Sequence, residues 1–254
     1  MNRKDDYIGV FDSGVGGISV LRHLRKLLPN ERFLYYGDSA NAPYGRRTTA
    51  EVQKLTLAAA EKMMQQGLKA LVVACNTATA AAIRDLRRIY PDLIVIGIEP
   101  ALKPAADQFP GGRVGVMATE VTLREEKFDT LLHRFDAETT VYKIPAPGLV
   151  ELVESGKGDT GEADALLFDI LRPYASKLDA LVLGCTHYPL VAKAIRRVLG
   201  PRVVLLDGGE GTARETKRRL EEADLLGNGP GQILWQSSVD QDAFFTLCQD
   251  LLNT

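Results

Sequence analysis

The chain has 254 residues, 45% hydrophobic and 25% charged, with a formal net charge of −2. This composition fits a globular protein long enough for two modest domains, with no basic footprint for nucleic acid. No apolar run approaches the roughly 18 residues of a membrane span. The charged start MNRKDDYIGV lacks a signal core, and three cysteines argue against a disulfide framework. A cytosolic protein is expected, with clusters such as Arg84–Arg88 and Arg214–Arg219 lying on solvated helix faces.

Tyr7 to Phe11 reads as a short apolar strand that runs into Asp12-Ser13-Gly14-Val15-Gly16-Gly17, ahead of a helical pattern over Ile18 to Leu28. The glycines allow a tight turn, but neither a P-loop nor G-x-G-x-x-G is present, so nucleotide binding is unsupported. Asp12 is either a helix cap or a proton relay or ammonium partner, and the N–H groups of the turn suit a carboxylate. A second strand, Phe33 to Tyr36, opens into the long polar loop Gly37 to Arg47. Within that loop Pro43-Tyr44-Gly45 is either a plain turn or a substrate contact made through backbone N–H groups. A helix over Thr49 to Gln66 is signalled by a capping box of Thr48 and Glu51 and by Gly67 at its end.

The run LVVACNTATA, Leu71 to Ala80, is a buried strand ending in Cys75, with a helix over Thr77 to Arg88. Ligands of open α/β sheets bind beyond the carboxyl ends of strands, and a helix amino terminus lowers a thiol pKa. Taken alone, Cys75 is as readily a small buried hydrophobe. Strand Leu93 to Ile98 closes this half, and Glu99-Pro100 starts a helix into the next. There follow the turn Pro110-Gly111-Gly112, strand Arg113 to Met117, helix Val121 to Phe135, strand Glu138 to Ile144, the short segment Gly148 to Ser155, a linker Gly156 to Gly161 and helix Glu162 to Lys177. Glu151 and Glu154 share a face if their segment is helical, and either is otherwise solvated. LVLGCTHYP, Leu181 to Pro189, then places Cys185 and His187 at a strand end, with Pro189 in the first turn of a helix. His23 and His133 fall in helices. Beyond Asp207 come two helical stretches and a strand near Ile233 to Gln236, with Cys248 in the core.

The chain repeats itself. Leu71 to Cys75 aligns with Leu181 to Cys185, Ile8-Gly9-Val10 with Val114-Gly115-Val116, Asp12-Ser13 with Ala118-Thr119, and Val95 to Glu99 with Val203 to Asp207. The expected fold is therefore α/β: two similar α/β domains with mainly parallel sheets related by pseudo-two-fold symmetry, the active site in the cleft between them. The domains expected are residues 1–98 completed by 208–254, and 99–207. Two thiols facing each other across a cleft suit inversion of a carbon, in which a proton leaves one face and another arrives on the opposite face.

With FDSGVGG at Phe11 to Gly17, GDSANAPYG at Gly37 to Gly45, ACNTATA at Ala74 to Ala80, PGLVELVESG at Pro147 to Gly156 and LGCTHYP at Leu183 to Pro189, the sequence resembles the glutamate racemases of the aspartate/glutamate racemase superfamily over nearly its whole length. The resemblance implies cofactor-independent interconversion of L- and D-glutamate that supplies D-glutamate for peptidoglycan. It implies Cys75 and Cys185 as the two catalytic bases, Cys75 facing the α-hydrogen of D-glutamate and Cys185 that of L-glutamate. Asp12 would assist Cys75, and His187, steadied by Glu154, would assist Cys185. Asp12, Ser13, Pro43, Tyr44, Gly45, Asn76, Thr77, Thr119, Thr186 and His187 would contact the substrate.

No cofactor and no metal are expected. The partner is a small molecule, L- or D-glutamate, without nucleic acid or membrane, and a homodimer is compatible with the chain. Three alternatives stand beside this reading: an aspartate or other amino-acid racemase of the same superfamily, a hydrolase gathering Cys75, Cys185, His187 and Asp12 around zinc, and a non-catalytic amino-acid sensor. Paired C-x-x-C or H-E-x-x-H spacing is absent, which weighs against the hydrolase. Binding alone gives no reason for a cysteine in each half, which weighs against the sensor.

Overall fold

A computed structural model describes residues 3–124, 132, 138–239 and 241–253. The chain folds as two compact units, Met1–Ile98 with Gly209–Thr254 and Glu99–Gly208. Strands β1 (Tyr7–Asp12), β2 (Phe33–Gly37), β3 (Leu68–Val73) and β4 (Ile94–Gly97) belong to the first unit. The second holds β5 (Arg113–Ala118), β6 (Thr140–Pro145), β7 (Ala180–Leu183) and β8 (Val204–Asp207), and β9 (Ile233–Ser237) returns to the first.

Among the described residues the first sheet runs β4-β3-β1-β2-β9 and the second β6-β5-β7-β8, with every pairing parallel. Read from the other edge, the second sheet is β8-β7-β5-β6, the same order as β4-β3-β1-β2. The internal repeat in the sequence is thus a repeat of topology, with β1, β3 and β4 answering to β5, β7 and β8. Apolar strands covered on both faces explain why β2 and β3 are buried at every residue.

Helices fill the crossovers that parallel strands require. In the first unit Ile18–Leu27 packs on Gly209–Glu222, and Thr49–Met64 on Asn76–Ile89. The Thr48–Glu51 capping box is formed in both directions, and Gly67 past the helix end adopts a φ of 79°. One core gathers Phe11, Leu34, Tyr44, Val73, Cys75 and Leu86 in the first unit. Another gathers Leu102, Val114, Val116 and Val182 in the second. Cys248 is fully buried.

At the opposite end of the first sheet Lys69 is buried beside Glu31, with Nζ 2.5 Å from Oε2. Lys69 also donates to the carbonyl of Lys4 at 2.6 Å, and the N–H of Gly227 donates to Glu31 at 2.8 Å. This buried pair fastens the chain beyond helix Gly209–Glu222 to the start of β3.

Several boundaries differ from those read in the sequence, three of them in helices of the second unit. The helix expected over Glu162 to Lys177 is Gly161–Leu171 followed by a 3-10 turn, Arg172–Tyr174, because Pro173 offers no N–H to continue the ladder. The helix expected from Glu99-Pro100 begins at Leu102. Of the helix expected over Val121 to Phe135, Glu120–Arg124 is helical, whereas residues 125–131 and 133–137, His133 among them, lie outside the described residues. No helix among the described residues is long and apolar enough to cross a membrane.

Candidate active site

The carboxyl ends of β1 and β3 hold the candidate residues of the first unit. Ala74 N–H donates to Phe11 O at 2.8 Å, which holds the chain beyond β3 in sheet register until Cys75 becomes the amino-terminal cap of helix Asn76–Ile89. Cys75 is 5% exposed; its Sγ accepts the Ala78 N–H at 3.5 Å, and the thiol lies 3.6 Å from Ser13 Oγ. The sulphur thus sits at a helix amino terminus with an N–H aimed at it.

Asp12 is fully buried, and its Oδ1 accepts the Gly14 N–H at 3.0 Å. The following helix is capped by Gly17 with no side-chain bond, so Asp12 folds the glycine turn and does not serve as the helix cap. Gly17 is required here, since a Cβ would stand 2.7 Å from Asp12 Cβ and 2.9 Å from Tyr35 Oη. Ser13, Asn76 and Thr77 are buried at the same strand ends, and Asn76 Oδ1 has no hydrogen-bond partner among the described residues. Pro43 and Gly45 are half-buried in the loop after β2, while Tyr44 is buried and donates to Asp38.

In the second unit Gly184 repeats the role of Ala74, its N–H donating to Met117 O at 2.7 Å. A Cβ at Gly184 would come within 2.9 Å of Ala118 Cβ, so the strand can lie this close only without one. Cys185 follows, and its Sγ lies 3.6 Å from His187 Nδ1. The other ring nitrogen, Nε2, is 2.6 Å from Glu154 Oε1. Glu154 reaches it from helix Leu149–Glu154, which starts after Gly148 in the left-handed region, φ 85°.

Burial drives the His187 imidazole toward the neutral form. Its hydrogen bonds to Cys185 and Glu154, and their negative charge, outweigh that and hold it well above its ordinary value. Thr186 is buried beside it, and Thr119, at the end of β5, accepts the Thr122 N–H at 3.3 Å. Tyr188 is kept a phenol by burial and by the charges of Cys185 and Glu151.

Each unit thus brings its own expected residues together: Asp12, Ser13, Cys75, Asn76 and Thr77 at one set of strand ends, and Thr119, Cys185, Thr186, His187 and Glu154 at the other. Sequence reasoning passed over Asp38, although it follows β2 directly, one residue beyond the level of Asp12 at the end of β1. Among the described residues no three or more His, Cys, Asp or Glu side chains are grouped to hold a metal.

A buried cysteine at the same strand end of two topologically alike parallel units, one of them backed by a histidine–carboxylate pair, is the equipment of an α/β amino-acid racemase. The sequence pattern of Asp/Glu/Hydantoin racemases matches residues 8–216, and the chain belongs to that family. It is 50% identical over 256 residues to a glutamate racemase of Clostridium kluyveri, covering 99% of each chain. Its fold matches glutamate racemase isoform RacE1 of Bacillus anthracis with a TM-score of 0.88 at 33% identity, covering 99% of this chain and 95% of that one. The glutamate racemase of Francisella tularensis in complex with D-glutamate gives 0.85 at 29% identity, covering 99% and 95%.

Proposed function

We propose that the protein is a cytoplasmic glutamate racemase that interconverts L- and D-glutamate with two cysteine bases and no cofactor, supplying D-glutamate for peptidoglycan. The observation that carries this reading is the matched placement of Cys75 and Cys185 after β3 and β7, each held in register by the residue before it. The family and the glutamate racemases it resembles support the substrate.

In the L-to-D direction the Cys185 thiolate takes the α-hydrogen as a proton, leaving the electron pair on carbon. The Cys75 thiol then delivers its proton to the opposite face. Cys185 ends as thiol and Cys75 as thiolate, so before the next turnover in the same direction Cys185 must release a proton to solvent and Cys75 take one from it. His187, steadied by Glu154, takes up and returns the proton at Cys185, and Asp12 and Ser13 do so at Cys75.

An α-hydrogen beside a carboxylate is far less acidic than a thiol, so preorganised donors must stabilise the developing charge, each contributing about 3–4 kcal/mol. Thr77 and Thr186 hydroxyls and the N–H groups of the strand-end turns, with the backbone N–H groups of Tyr44 and Gly45, are assigned that role, together with Thr119. The buried Asn76 carbonyl oxygen suits the substrate ammonium. Side-by-side racemisation assays of glutamate and aspartate test the reading, which requires glutamate to be turned over and preferred. The same preparation, sized in solution, would decide whether the enzyme is a homodimer.

A further inference from the structure

Asp38 follows β2 directly and is 3% exposed, yet the mechanism above gives it no task. Its N–H donates to Asp12 O at 3.0 Å, so it sits at the level of the reacting strand ends. Burying a carboxylate is costly unless its oxygens are satisfied. Here they are satisfied from within the loop that follows: Tyr44 Oη donates to Oδ2 at 2.7 Å, and Asn41 Nδ2 lies 3.0 and 3.1 Å from the two oxygens. Arg47 extends the network, donating from Nε to Asn41 O at 2.7 Å.

Tyr44 is 1% exposed, with its ring 6.3 Å from that of Phe11. Burial, then the hydrogen bond and charge of Asp38, push its phenol up, so it stays a donor. The same loop is anchored from the chain's tail, where Ser238 Oγ accepts the Ala40 N–H at 3.0 Å.

We propose that Asp38 is a positioning residue for the reaction: by gathering Tyr44 and Asn41 it fixes the Pro43–Gly45 backbone at the substrate. The functional half of this rests on the racemase reading. A phenol has one proton, and Tyr44 gives it to Asp38, so the hydroxyl is not a donor to a substrate carboxylate. What the segment presents is backbone, and Asp38 determines where that backbone lies. Because Oδ1 and Oδ2 both accept from the loop, the part assigned to Asp38 is to act through Tyr44 and Asn41.

The test compares wild type, Asp38→Ala, Asp38→Asn, Tyr44→Phe and the Asp38→Ala/Tyr44→Phe double variant. It measures kcat and KM for D-glutamate and amide hydrogen exchange over residues 39–47. Asp38→Ala should raise KM about tenfold with kcat within about threefold of wild type. Asp38→Asn keeps an oxygen for the Tyr44 hydroxyl and should recover most of that loss. The double variant should be no worse than Asp38→Ala, since both changes break one contact. Exchange over 39–47 should quicken in Asp38→Ala while β1 and β3 keep their protection.

A fall in kcat with KM unchanged, additive effects in the double variant, or unchanged exchange over 39–47 would each overturn the proposal. If wild type fails to racemise glutamate, the racemase reading falls on that result alone. The exchange comparison still decides whether Asp38 positions the loop.

Discussion

His187 and Glu154 meet through Nε2 and Oε1 at 2.6 Å, while the other ring nitrogen of His187 lies 3.6 Å from Cys185 Sγ. One imidazole therefore joins a carboxylate to a thiol. Glu154→Gln keeps the shape and removes the charge that helps to hold the imidazole protonated. The variant should lower kcat in the direction that begins at Cys185 by about tenfold or more, a barrier increase of about 1.4 kcal/mol. Initial rates with L- and D-glutamate measure it.

The same pair makes stability depend on pH. The folded protein holds His187 above its unfolded value, which is near 6.5. Its contribution is therefore fully present below that unfolded value and is lost as pH rises through the folded one. The thermal midpoint of wild type should exceed that of His187→Gln by more at about pH 6 than at about pH 10. Melting curves of both proteins across that range check this; a gap that widens with pH would contradict it.

Substitution of the thiols separates chemistry from folding. Cys75→Ser and Cys185→Ser should each lose more than about 90% of racemisation, since a hydroxyl is a much weaker acid and base than a thiol. Glutamate binding and thermal unfolding should stay near wild type. Calorimetric titration of the serine variants with glutamate supplies the control.

Fold and site were unequally legible in the sequence. Apolar runs broken by a cysteine gave away the ends of β3 and β7 because a parallel strand covered on both faces has no alternation to hide in. Thr48 with Glu51 marked a helix start for a purely local reason, a reciprocal pair of bonds within one turn. Local composition failed where a single proline decides the outcome, as at Pro173. Asp38 escaped because its meaning lies in contacts with Tyr44 and Asn41 that a polar loop does not announce, and Lys69 because burial of a lysine depends on Glu31 and Gly227 from distant parts of the chain.

That buried pair gives a prediction away from the site. Lys69→Met leaves Glu31 buried without its cation and should destabilise the protein by about 3–5 kcal/mol. Replacing Lys69 and Glu31 together by Met and Leu should recover much of the loss. Racemisation per folded molecule should be unchanged in both, as denaturant titration paired with activity would establish.

The central claim is that two different thiols serve the two faces of one carbon, and the placement of hydrogen isotope tests it most directly. L-Glutamate is incubated in heavy water, the reaction is stopped at low conversion and the enantiomers are separated for NMR. With Cys185 abstracting and Cys75 delivering, the D-glutamate formed should carry solvent deuterium at its α-carbon, while recovered L-glutamate should carry little. D-Glutamate that retains the original hydrogen would contradict two opposed thiols, even if both serine variants were inactive.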